Sequence, residues 1–246
     1  MQKPNVSKAF LVRPLYAQLS FALVERLKEG KWRAGDALPN EAELSREYNL
    51  SQGTVRKALD WMEENRLIVR HQGRGTFVCD PASDEIHRLY ERLCDSGGAP
   101  VAMLPDGMTT SEAEASDHEC RRLGLRPGAK VRRTKRVRSI SDAPCIIETS
   151  VVPAALFPLP EAEITSCDTL LDLAKRCGVL LGKGEERITA VAATDEAAAA
   201  LACEPGEPLL HLDRVVYTLD MQPAEWRTAL CRSTAVHYVA PVGRAK

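Results

Sequence analysis

Leu15, Leu19, Leu23 and Leu27 recur every fourth position as one apolar stripe, which predicts a helix following Pro14. Proline suits a first turn, and Gly30 is placed to cap the far end. Trp32, Gly35 and Pro39 then mark a compact connection rather than another element. Asn40 begins a second helix, with Glu43 three residues on to complete a capping box, and Leu44 and Tyr48 facing a core. After the turn Asn49-Leu50, Ser51 caps a third helix whose buried stripe is Val55, Leu59 and Met62. Asn65 is suited to the left-handed geometry that ends it. Two strands follow, Leu67 to His71 and Thr76 to Cys79, joined by Gln72-Gly73-Arg74-Gly75.

From Asp80 onward the pattern changes. Residues 81–84 are polar and aperiodic, and are assigned as a linker between a unit at 10–80 and a larger one at 85–246. A helix is expected from Glu85 to Cys94 and a loop at Ser96 to Pro100. Helices are also expected at residues 112–123, Thr169 to Cys177 and Asp195 to Cys203, the last with Asp195 as N-cap. Strands are expected at Val131 to Ile140, Cys145 to Val152, Glu185 to Ala193, Pro208 to Leu219 and Pro223 to Arg232, with a turn at Ser141 to Pro144. This is an α+β chain: three helices and a hairpin, then a domain built on a mainly antiparallel sheet.

Composition narrows the class only a little. The 246 residues are 44% apolar and 27% charged, with no apolar run approaching a membrane span. The first residues, MQKPNVSKAF, lack the apolar core of a secretory signal, so a cytoplasmic location is expected. Eight scattered cysteines with no Cys-x-x-Cys pair, and five dispersed histidines, argue against a disulfide framework or a metal site. No cofactor motif occurs. Net charge is −1, yet residues 1–80 carry 13 basic against 10 acidic side chains and the rest 20 against 24. A slightly basic head fits nucleic acid, but three charges do not decide it.

The motif decides more. Two helices around a tight turn followed by a hairpin form a winged helix-turn-helix, which sets one helix in a DNA groove. Ser51, Gln52, Gly53 and Thr54 are short or polar residues at a helix N-terminus, where free N–H groups favour phosphate. Gln52 has the paired donor and acceptor that read adenine, and Arg56 can bridge to a phosphate or to guanine. Arg56 and Lys57, and Arg46 on the preceding helix, complete the candidate face, with Gly73, Arg74 and Gly75 as a narrow tip. An ordinary solvated face remains the alternative for Arg56 or Lys57 taken singly.

The blocks PLYAQLSFALVERLKEG, LPNEAELSREYNLSQGTVRKAL and GRGTFV resemble the amino-terminal domain of the GntR family of bacterial transcription regulators over Pro14 to Val78. That resemblance implies dimers on palindromic operators. Gln52 stands where the family commonly has a guanine-reading arginine, Ala42 where it often has a basic residue, and Asn40 where it has serine, so its operators are not carried over.

LGLRPGAKVRRTKRVRS, PCIIETSVVPAALFP, TLLDLAKRCGV and ATDEAAAALACEPGEPLLHLDRVVYTLDMQPAEW resemble the UTRA ligand-sensing domain of the HutC-type branch, over Thr109 to Tyr238. The resemblance implies a chorismate-lyase-like fold with an effector site lined by Arg136, Arg138, Glu148, Thr169 and Glu225. Residues two apart on a strand share a face, so Arg136 and Arg138 can grip an anion together. A structural ion pair, for instance Arg136 with Glu148, is the competing assignment. Sugar-phosphate-sensing relatives commonly have tyrosine six residues after the glutamate; Cys231 stands there, so a small organic anion is preferred over a sugar phosphate.

The expectation is a homodimeric, sequence-specific DNA-binding regulator, a repressor released by a small organic effector. One rival is a DNA-binding protein whose larger domain only dimerises. The other is a lyase-like enzyme, disfavoured because no catalytic triad, metal spacing or phosphate loop appears.

Overall fold

The leucine stripe forms α1 (Leu15–Lys28), and the computed structural model shows why only part of it is buried. Residues 13–80, 86, 90–95, 97–98, 108–140 and 143–240 are described. The chain divides into two compact units, Met1–Ser83 and Asp84–Lys246. In the first, α1 packs with α2 (Glu41–Tyr48) and α3 (Gln52–Glu64) around a core of Leu19, Leu23, Leu38, Leu44, Val55, Ala58, Leu59, Met62, Ile68 and Val78. Ser20 is fully buried; its Oγ donates to the Tyr16 carbonyl at 2.8 Å and lies 3.3 Å from that of Ala58, tying α1 to α3.

Capping fixes the helix starts. Asn40 Oδ1 accepts from the Ala42 and Glu43 amides at 3.0 Å, while Glu43 accepts from the Asn40 amide at 2.8 Å, as the sequence predicts. Ser51 Oγ accepts from the Thr54 amide at 3.2 Å. Asn49 takes the left-handed turn between α2 and α3, with φ 52°. At the end of α3 the expectation is off by one residue: Asn65 has φ −89°, and Arg66 carries the positive φ of 55°. Pro14 lies outside α1 as its N-cap.

The wing is β1 (Ile68–His71) and β2 (Gly75–Val78), antiparallel, with His71 opposite Gly75. The tip needs glycine, since Gly73 and Gly75 have φ 72° and 116°. The connection after α1 also runs beside β2: the Leu38 amide donates to the Thr76 carbonyl at 2.8 Å and Ala37 bridges Phe77.

The second unit is built on one antiparallel sheet of order β4-β5-β6-β9-β8-β7: β4 (Thr109–Glu114), β5 (Lys130–Ile140), β6 (Ala143–Pro153), β9 (Pro223–Arg232), β8 (Pro208–Thr218) and β7 (Leu181–Ala192). A separate short pair joins β3 (Leu93–Cys94) to β10 (His237–Tyr238). One sheet face takes α4 (Asp117–Leu123) and α7 (Asp195–Leu201), through clusters around Leu123, Val131 and Val151 and around Ala198, Leu201 and Leu209. The other takes α5 (Glu161–Thr165) and α6 (Leu170–Arg176), with Phe157, Ile164 and Leu173 packed on Val152, Val216 and Ala224.

Three expectations are corrected. Residues 112–114 belong to β4, because they pair with Arg132, Val131 and Lys130 of β5, and the helix starts only at Asp117 behind its cap Ser116. Thr194, extended at φ −74° and ψ 163°, caps α7 in place of Asp195. Leu93 and Cys94 of the expected 85–94 helix are strand; residues 85 and 87–89, the linker at 81–84, most of the loop at 96–100, and the turn residues 141–142 lie outside the described residues, as do 10–12 and 241–246 of the assigned domains.

Burial along α1 sets a test of the first unit. Leu23 has no accessible surface and Leu15 is 55% exposed, so Leu23→Ala is expected to cost about 2–5 kcal/mol in urea unfolding. Leu15→Ala is expected to change stability by no more than about 0.5 kcal/mol.

Candidate DNA-binding face and effector site

Helix α3 presents two stripes. Val55, Ala58, Leu59 and Met62 are buried, while Ser51, Gln52, Gly53, Arg56 and Lys57 are exposed and Thr54 is half-buried. Gly73, Arg74 and Gly75 at the wing tip are exposed as well. Arg46 is exposed on α2, its Nε donating to the Ala42 carbonyl at 3.3 Å. Every residue expected to meet DNA is therefore at the surface of the first unit, apart from the half-buried Thr54. Arg56 is engaged: Glu41 accepts from its Nε and Nη2, the closest contact 2.8 Å. The hydrogen bond to Arg56 lowers the Glu41 carboxyl below the ordinary carboxylate range and raises the Arg56 guanidinium. Arg70 of β1 pairs with Asp60 at 2.6 Å and bonds the Arg56 carbonyl at 3.3 Å, bracing the wing on α3.

In the second unit, strand register places Arg136 and Arg138 (β5), Glu148 and Ser150 (β6), Glu225 and Arg227 (β9), Arg214 (β8) and Glu186 (β7) on one sheet face, the face that also carries α5 and α6. Arg136 lies directly across from Glu148, with their charged ends 3.8 Å apart. Its firmer partners are the Asp168 carbonyl at 2.7 Å and the Cys167 carbonyl at 2.9 Å, so it docks on the loop that leads to Thr169. Arg138 bonds Glu148 at 2.8 Å. Glu225 accepts from Ser150 at 2.6 Å and from Arg214 at 3.0 Å, rather than from either predicted arginine. Thr169 caps α6, but its hydroxyl donates to Asp172 at 2.7 Å and accepts the Asp172 amide at 3.1 Å. A carboxylate therefore already occupies that helix start.

Sequence reasoning missed half of this cluster. Arg227 bonds Glu148 and Glu91 at 3.4 Å, Arg214 donates to the Tyr90 carbonyl, and Tyr238 donates to Glu186 at 2.7 Å. The sequence held a signal for Arg227, which is two residues beyond Glu225 on one strand and so shares its face. Arg214, charged within Leu-Asp-Arg-Val-Val, was legible by the same parity; Glu91 had none.

Neighbouring guanidiniums favour the ionised forms of Glu91 and Glu148. Burial pushes Glu91 up, but Arg227, Arg138 and Arg214 outweigh it and bring it down to about 2. Glu148 is likewise lowered by Arg138 and Arg227 against the cost of burial. Cys231, where a tyrosine was the alternative, is a buried thiol pushed up to about 12 by desolvation. Among the described residues, Nε of Arg138, Arg214 and Arg227 and Oε1 of Glu186 are buried without hydrogen-bond partners. Unmet buried donors are costly, which is the condition a bound polar molecule would relieve.

Residues 15–78 match the gntR family of bacterial regulatory proteins, and residues 108–237, over half the chain, match the UTRA domain. The chain belongs to the GntR family. An HTH-type transcriptional regulator from Mycobacterium tuberculosis is 32% identical over 220 residues, covering 86% of this chain and 80% of that protein. The histidine utilization repressor of Pseudomonas putida is 28% identical, covering 82% and 81%. A solved ligand-binding domain of a candidate GntR-family regulator from Bordetella bronchiseptica is 30% identical with a TM-score of 0.54, covering 62% of this chain and 96% of that one. This GntR protein is a DNA-binding transcription regulator with a UTRA effector-binding domain, not an enzyme. No helix among the described residues is long and apolar enough to cross a membrane.

The sheet-face cluster generates a pH prediction. A carboxylate depressed on folding adds stability above its unfolded pKa and loses it as pH falls through the folded one. The urea midpoint is expected to drop as pH falls from about 4.5 towards about 2, the range over which Glu91 titrates. Arg138→Ala, which leaves Glu148 under-compensated, is expected to cost about 3–5 kcal/mol at neutral pH. That cost should shrink as pH is lowered, because the loss of Arg138 removes a charge that holds Glu148 below the ordinary carboxylate range.

Proposed function

We propose that this regulator is a cytoplasmic, homodimeric repressor that binds a palindromic operator and leaves it when a small organic effector binds the charged sheet face of the second unit. The observation that carries the DNA half is the two-sided α3, whose apolar stripe is buried and whose polar stripe is offered outward. Ser51, Gln52, Gly53, Thr54, Arg56 and Lys57 enter a major groove, Arg46 meets phosphate, and Gly73, Arg74 and Gly75 approach the backbone beside it. Phosphate contacts make this binding fall with rising salt.

For the effector, the cluster is balanced between guanidiniums and carboxylates, so a simple anion gains no excess positive charge. Arg136 differs from Arg138 and Arg227, since its close partners are two main-chain carbonyls and the Met108 sulfur, and Glu148 is 3.8 Å away. An anionic group on the effector pairs with Arg136 and Arg138, while Glu148 and Glu225 accept from hydroxyl or amino groups. Thr169 contributes shape at the end of the site, because its hydroxyl is committed to its cap. The effector is a small polar organic molecule with both an anionic group and hydrogen-bond donors. It acts only through a preference for one state of the protein, with a coupling of about 1–3 kcal/mol being typical.

A thermal-shift panel of small carboxylates, amino acids and organic phosphates tests this. A true effector at about 100 times its Kd adds about 2.7 kcal/mol of stability, and the same compound should release operator DNA. Arg136→Ala should lose the shift and the release while keeping operator affinity. A panel with no stabilising compound would favour a second unit that only dimerises.

A further inference from the structure

Arg56 is held as no other cation of the exposed stripe of α3 is held. Its Nε donates to Glu41 Oε1 at 3.2 Å and Oε2 at 3.3 Å, and its Nη2 donates to Oε2 at 2.8 Å. Glu41 is the first residue of α2, so this pair crosses the turn between the two helices. A guanidinium has five N–H donors, and a carboxylate on the Nε edge consumes that edge alone. The outward fork, one hydrogen on each terminal nitrogen, remains, on a side chain that is 61% exposed. A two-donor fork of this kind matches guanine O6 and N7.

The surroundings keep the pair exclusive. Asp60 lies one turn along α3 from Arg56, but it is taken by Arg70 at 2.6 Å. Arg70 also bonds the Arg56 carbonyl at 3.3 Å, so the backbone is braced at the same residue as the side chain. Lys57, next along the helix, has no ion pair among the described residues; an unheld ammonium suits a phosphate, whereas a held fork suits a base edge.

We infer that Glu41 is a positioning residue, which fixes Arg56 by its Nε edge so that the terminal fork reads a guanine at one fixed position of the operator. This rests on the reading that α3 enters a major groove. Glu41 touches no DNA itself. It reduces the freedom Arg56 loses on binding and aims the fork at a base instead of the nearest phosphate.

The test is site selection from a random DNA pool with the full chain, followed by competition among operators changed at single positions. Wild type should fix a guanine that Arg56→Ala no longer selects. Glu41→Gln should lower the preference for guanine over other bases at that position about tenfold, with the melting temperature and the preferences elsewhere retained. Glu41→Gln added to Arg56→Ala should change nothing further at that position, which ties its effect to the arginine and not to its own charge. If Arg56→Ala alters the base profile and Glu41→Gln does not, or if Glu41→Gln merely strengthens binding to all sequences alike, the positioning role is wrong and the groove reading stands. If Arg56→Ala weakens every sequence equally, Arg56 is a phosphate contact and the inference falls with it.

Discussion

The packing of α3 against α1 is the constraint on which the first unit depends. Burying Val55, Ala58, Leu59 and Met62 fixes the rotation of α3 about its axis, and a period of 3.6 residues then dictates which side chains face out. Gln52, Gly53, Arg56 and Lys57 are exposed for no other reason. Ser20, bonded across to α3, and the caps at Asn40 and Ser51 hold the same geometry at its ends. The surface offered to DNA is thus a consequence of the core, and a core substitution that rotates α3 would alter recognition without touching a recognition residue.

The second unit uses a different logic. Its sheet buries arginines and glutamates across β5 to β9 in place of a wholly apolar layer on that face, with aliphatic clusters to either side. Desolvating so many ions is costly, and an apolar layer of the same volume would often be as stable or more so. Arrangement and specificity are what such a layer supplies. Each carboxylate holds a guanidinium in a set direction, and the unmet Nε donors of Arg138, Arg214 and Arg227 mark where the protein alone does not complete its own hydrogen bonding.

Legibility in the sequence followed the range of the interactions. The three helices of the first unit and the N-caps of the second and third were readable from local signals: the leucine stripe, Asn40 with Glu43, and Ser51 before an apolar stripe. Strands of the second unit were readable where apolar residues alternate, as in Pro223 to Arg232, whose limits were met. β4 was misread as helix because Ser111 to Glu114 carries little apolar alternation; its strand form comes from pairing with β5, a contact the local sequence does not encode. The pair of β3 with β10 joins residues at opposite ends of the unit and was illegible for the same reason. At the sites, the exposed face of α3 was legible, but the Glu41–Arg56 bridge was not, since it depends on how two helices cross. Arg136 and Arg138 sharing a face followed from parity; the commitment of Thr169 to Asp172 is a Thr-x-x-Asp capping box, a local signal that the effector assignment passed over.

Amide hydrogen exchange of the full chain with and without operator DNA tests the central claim, that the outward stripe of α3 and the tip of the wing are the DNA surface. Operator should slow exchange in peptides covering Ser51 to Lys57 and Gln72 to Gly75, and leave the outer strands β4 and β7 unchanged. Protection that spares both of those segments while DNA is bound would contradict the account.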